Sequence, residues 1–106
     1  MQIFDLQKNR SFSADKLKKN NLAETERFFC DLYCLEPGQE QKPHLHDSSD
    51  KIYIVLEGRG FFRVGPEEHE LGRDQGVLAP AGLDHGVRNA SKERLTLLVF
   101  MAPKPS

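Results

Sequence analysis

The sequence predicts an all-β domain folded as a small barrel or jelly roll. Three observations predict it. Short runs such as Lys51–Glu57 and Arg94–Met101 are rich in β-branched, aromatic and aliphatic residues. Glycine and proline punctuate the gaps, at Pro37 and Gly38, Gly58 and Gly60, Gly65 and Pro66, Pro80 and Gly82. Little of the chain carries the 3.6-residue periodicity of a helix.

Residues 11–24 read as a polar leader, with Ser13 placed to cap a short helical turn over Ala14–Lys19. From Glu26 the texture changes. Phe28, Cys30, Leu32 and Cys34 fall on one face of a strand; Phe29, Asp31, Tyr33 and Leu35 fall on the other, and Glu36, Pro37 and Gly38 end it. Cys30 and Cys34, the only cysteines, would lie about 13 Å apart on that strand. A disulfide needs roughly 7 Å or less between Cα atoms, so they read as small apolar side chains.

Lys51–Glu57 is the next strand, and Tyr53 shares its face with Lys51. A turn at Gly58–Gly60 leads into Phe61–Gly65, where Phe62 and Val64 line the interior while Phe61 and Arg63 face outward. Pro66, Glu67 and Glu68 make a turn that leaves His69 in a charged, solvated setting. Gly76–Pro80 is a short strand whose proline marks a turn or sheet edge. Arg94–Met101 closes the fold. Leu95, Leu97, Val99 and Met101 face one way; Thr96, Leu98 and Phe100 face the other. A strand apolar on both faces needs cover on both, from a second sheet or a second chain.

Bulk properties narrow the function. The 106 residues suit one domain. With 15 basic against 16 acidic residues, no basic stripe argues for nucleic acid. The apolar runs fall short of the roughly 20 residues a membrane span needs. The start, Met1-Gln2-Ile3-Phe4-Asp5, lacks a basic stretch followed by an apolar one. The expectation is a cytoplasmic protein that binds neither nucleic acid nor membrane.

The chemistry lies in the histidines. His44 and His46 are two residues apart, so an extended strand projects both rings from one face. His85 follows the Pro80-Ala81-Gly82 turn on a later strand. Neutral imidazole is the commonest nitrogen ligand of divalent transition metals, and a barrel can aim three at one ion.

Gly38, His44, His46 and Gly58, then Pro80, Gly82, His85 and Asn89, stand in the order and spacing of the two cupin motifs. From Leu32 to Phe100 the chain resembles the cupin family. The resemblance implies a cupin-type double-stranded β-helix over residues 25–106, with residues 1–24 as a leader packing on or swapping with the barrel. It also implies a homodimer and a divalent metal (Fe, Mn, Ni or Zn) held by His44, His46 and His85.

One departure matters most. Where the family places its carboxylate ligand, this chain has Lys51, with Asp50 beside it. Three arrangements follow. A bulge could turn Asp50 inward as a fourth ligand. Lys51 could point inward and bend away, leaving a three-histidine site with open positions. Or Lys51 and the histidines could bind an anion without metal. Lys51 and Tyr53 are the candidate catalytic residues. The expected function is a small metal-binding cupin acting on a small molecule, either as a dioxygenase-like oxidoreductase or as an isomerase. The alternative is a non-catalytic module that senses or sequesters a metal or small ligand.

Overall fold

The chain folds into two facing antiparallel sheets, and the computed structural model describes residues 1–105. Nine strands follow in order: β1 (Lys18–Glu24), β2 (Phe29–Leu35), β3 (Glu40–His44), β4 (Asp50–Glu57), β5 (Arg59–Val64), β6 (Glu67–Gly72), β7 (Gly76–Ala79), β8 (His85–Arg88) and β9 (Leu95–Ala102). One sheet runs β1-β2-β9-β4-β7 and the other β3-β8-β5-β6. Among the described residues there is no helix, so none is long and apolar enough to cross a membrane.

Period-2 alternation builds the core. Along β4, Lys51, Tyr53 and Val55 are buried while Asp50, Ile52 and Ile54 are exposed. Tyr33, Leu35, Tyr53, Val55, Phe62, Val87, Leu95, Leu97 and Val99 fill the space between the sheets. On the outer face of the first sheet, Leu22, Leu32 and Cys34 form a second cluster, covered partly by Leu6 and Phe12 of the N-terminal segment. Both cysteines are free and belong to this outer cluster.

Two elements differ from the sequence reading. The expected helical turn over Ala14–Lys19 is a bend that enters β1 at Lys18. Residues 66–70, read as a charged turn, supply most of β6, and Glu67, Glu68, His69 and Glu70 on it are exposed. Both strands lie at sheet edges. An edge strand can be solvated on several sides and is often charged, so it lacks the apolar alternation that marks a central strand.

Register sets up the site. Between Gln41 and His44 on β3, the facing strand β8 advances only from Val87 to His85. The extra residue on β3 is a β-bulge. Gly86 lies under it: a Cβ there would sit 2.6 Å from the Gln41 carbonyl oxygen and 2.8 Å from the Pro43 nitrogen. Only glycine lets β8 pass beneath the bulge without displacing backbone.

Candidate metal centre

His44 ends β3, directly opposite His85 at the start of β8. His46 lies just beyond β3 in the following loop. Ring centroids are 4.5 Å apart for His44 and His85, 4.9 Å for His44 and His46, and 5.6 Å for His46 and His85. One nitrogen from each ring lies within 4.8 Å of the other two.

The loops that deliver these rings are tied together. Gly82, at a φ of 87° that favours glycine, donates its N–H to the His46 carbonyl at 2.9 Å. The Ala81 N–H donates to Asp50 Oδ1 at 2.9 Å. Asp50 is therefore not a fourth member of the histidine cluster. No bulge displaces β4 at this point: Asp50 pairs with Ala102 and Lys51 with Met101 in unbroken register. The outward carboxylate anchors the turn that carries His85, while Lys51 takes the inward position.

Backbone carbonyls set the ring chemistry. His44 Nδ1 lies 3.0 Å from the Lys42 carbonyl oxygen, and His85 Nδ1 lies 3.2 Å from that of Leu83. A carbonyl can only accept, so each Nδ1 carries the proton and each Nε2 keeps its lone pair. The Nε2 of His85 is buried without a hydrogen-bond partner. Burial pushes His85 down to about 4, opposed by its backbone hydrogen bond and aided by the nearby charge of Lys51. His44 and His46 are lowered as well, chiefly by burial. All three rings are neutral near pH 7, the form that ligates metal. An orphaned buried lone pair within a set of three nitrogen donors fits a divalent transition metal.

Behind the histidines lies a polar group centred on Gln41. Gln41 Oε1 accepts from Tyr53 Oη at 2.8 Å and from Lys51 Nζ at 3.2 Å. Lys51 Nζ also donates to Tyr33 Oη at 3.3 Å. Burial, reinforced by the charge of Lys19, pulls Lys51 down to about 7. Burial drives both tyrosines upward, so they remain phenols. Lys51 and Tyr53 thus share the inward face, and the edge of the Tyr53 ring meets His85 at 6.2 Å between centroids. Gln41 and Tyr33 were not singled out in the sequence. Alternation does put Tyr33 on the inward face of its strand, but the bulge conceals Gln41. Asn89, although it matches the motif, is structural: its Nδ2 donates to the Leu35 and Glu93 carbonyls. His69 is exposed on β6, away from the cluster.

On another side, an apolar cavity of 440 Å³ opens between β6 and β7. Phe62, Val64, Leu71, Val77 and Leu83 line it. Val64 is the register partner of His85, and Leu83 supplies the carbonyl that holds the His85 ring. None of the three clustered histidines lines the cavity itself.

The cupin-domain family model matches residues 31–101, a span that holds all three histidines. An uncharacterized protein of Streptomyces coelicolor is 36% identical over 75 residues, covering 69% of each chain. Polyketide synthase CurC of Streptomyces cyaneus is 32% identical over 81 residues, which are 74% of this chain and 53% of that protein. The crystal structure of TT1209 from Thermus thermophilus superposes with a TM-score of 0.96 at 46% identity, covering 99% of this chain and all of that one. The two facing antiparallel sheets are those of a double-stranded β-helix, a domain likewise named for a Klebsiella pneumoniae protein that matches with a TM-score of 0.89 at 22% identity. With more than half its length matched by one family description, the chain belongs to the cupin family.

Proposed function

We propose that His44, His46 and His85 bind one divalent transition metal and that the chain acts on a small molecule at that site. The observation that carries this reading is the pairing of both strand-borne Nδ1 atoms with backbone carbonyls, which leaves Nε2 lone pairs to converge. No carboxylate joins the three rings in the cluster. A metal held by three protein ligands keeps coordination positions open, and supplies Lewis acidity or, if redox-active, oxygen chemistry. Dioxygenase-like turnover ranks ahead of isomerase-like turnover. The chain's own residues supply an apolar cavity whose lining includes Val64 and Leu83, the register partner and ring-holding neighbour of His85, and a buried group of two phenols and an amine bonded to Gln41 and one another. Relatives named as polyketide synthase proteins, CurC and TcmJ, lend support to small-molecule chemistry.

The test is elemental analysis of untagged protein purified without added metal. One transition-metal ion per chain is expected, and His46→Ala should lose most of it. Stoichiometric metal in a variant lacking all three histidines overturns the proposal.

The homodimer is proposed on separate grounds. Ile52, Ile54, Leu78 and Phe100 are 38%, 36%, 57% and 39% exposed on the outer face of β4, β7 and β9. Strand pairing sets Leu78, Ile52 and Phe100 in one row. The N-terminal segment covers the β1–β2 side of this sheet but leaves that row bare. A contiguous apolar patch of this kind suits a second copy of the chain.

A further inference from the structure

The cavity of 440 Å³ between β6 and β7 has no part in holding a metal. Its position follows from the topology. β6 ends one sheet and β7 ends the other, so neither strand pairs across the gap. Facing sheets stand about 10 Å apart, and an opening between two such edges is a slot. Phe62 on its wall belongs to the core between the sheets, and Leu71 and Val77 pack against that core. Phe62 is 3% exposed, and its ring lies 5.5 Å from that of Tyr53. The slot therefore reaches inward from the sheet edges to the barrel interior.

Charge selects what can enter. No lysine or arginine stands among the described residues that line the cavity. Its titratable side chains are His69 and Glu67, 3.7 Å apart on the edge strand and 73% and 77% exposed, so they stand at the rim. A carboxylate or phosphate drawn inside would lose its water and meet no cation. A sugar would likewise leave hydroxyls unpaired against apolar walls. The cavity also shares residues with the surroundings of the histidines. Val64 is the register partner of His85, and the Leu83 carbonyl lies at His85 Nδ1. The Gly65 N–H, just after β5, donates to the Asp84 carbonyl at 2.8 Å and fixes that loop against the cavity wall.

We infer that this slot binds a neutral, flat aromatic molecule of two or three rings, with any polar substituent at the rim beside His69 and Glu67. A cavity of about 150 Å³ is enough for benzene, so 440 Å³ has room for a small fused-ring system. The Phe62 ring gives it an aromatic neighbour, and such pairs gain from offset or edge-on packing beyond the area they bury. An alkyl chain gains comparable burial but loses several freely rotating bonds when confined, a cost a rigid ring does not meet. The inference names a substrate class for the proposed function. It rests on that reading for the role of the molecule, whereas binding itself needs no metal.

The experiment is equilibrium dialysis of metal-free, chelator-treated protein near neutral pH against naphthol, naphthoate and decanol. Naphthol should bind at least about tenfold more tightly than naphthoate, whose charge finds no partner inside, and more tightly than decanol. Val77→Trp fills the slot from an edge strand, and Leu83→Asp puts a charge on its wall. Each should weaken naphthol binding at least about tenfold. Leu83 is 41% exposed, so its variant keeps the test decisive if Val77→Trp fails to fold. Ile52→Glu, in the bare apolar row outside the cavity, should leave binding unchanged. Absence of naphthol binding overturns the inference, as does equal or tighter binding of naphthoate or decanol. Binding that survives both wall substitutions, or is lost in Ile52→Glu, overturns it too. Metal content is measured separately. Naphthol binding without metal retention would remove the metal centre and leave this site standing; metal retention without naphthol binding would remove this site alone.

Discussion

Replacing Lys51 with methionine converts its burial into a measurable quantity. The folded chain holds this amine at about 7 rather than the ordinary 10.5. Between those values the unfolded chain binds more protons than the folded one, so the contribution of Lys51 to stability becomes less unfavourable as pH rises. The thioether of Lys51→Met does not titrate. The variant should therefore exceed wild type by most near neutral pH, and its relative advantage should shrink as pH rises. From about pH 7 to about pH 9.5 the difference in unfolding free energy should fall by about 3 kcal/mol, from the linkage of one group with these two values. Lost bonds to Tyr33 and Gln41 add a constant offset but no slope in this range. Cysteines and tyrosines also titrate in alkaline solution, yet they are common to both proteins and cancel in the difference. Urea unfolding followed by circular dichroism, on metal-free protein at several pH values, measures it. Parallel stability profiles would refute the reasoning, because Lys51 would then keep its proton in the fold.

Other predictions follow from the same geometry. Gly86→Ala should cost about 1–3 kcal/mol in urea unfolding, since the new Cβ meets backbone of the bulge rather than a side chain that can swing away. Lys51→Glu should raise metal affinity by adding an inward carboxylate to three imidazoles. Asp50→Ala should affect it less than His46→Ala, because that carboxylate faces Ala81; metal titration of the three variants checks both expectations. Ile52→Glu or Leu78→Glu should convert a micromolar dimer to monomer in sedimentation, and a wild-type protein already monomeric at high concentration would remove the basis for that prediction.

Much of this protein is legible without its coordinates. Side-chain alternation alone puts Lys51 and Tyr53 on one face of β4 and Leu95, Leu97 and Val99 on one face of β9, because neighbours two apart on a strand point the same way. Motif spacing brings His44, His46 and His85 into one group, and the cluster contains those three. Other features depend on contacts between distant segments. The bulge opposite Gly86 turns Gln41 and His44 inward together, although they are three residues apart and a regular strand would separate them. By spacing either Asp50 or Lys51 could occupy the inward position of the family's carboxylate ligand, and only the regular pairing of Asp50 with Ala102 and Lys51 with Met101 assigns one to the turn and the other to the interior. Strands β1 and β6 escape a pattern-based reading because edge positions can be solvated and need no apolar face. Lys19 meets the far side of Tyr33 only once β1 has docked on β2. Local periodicity determines which way a side chain points; register between strands far apart in sequence decides what it meets there.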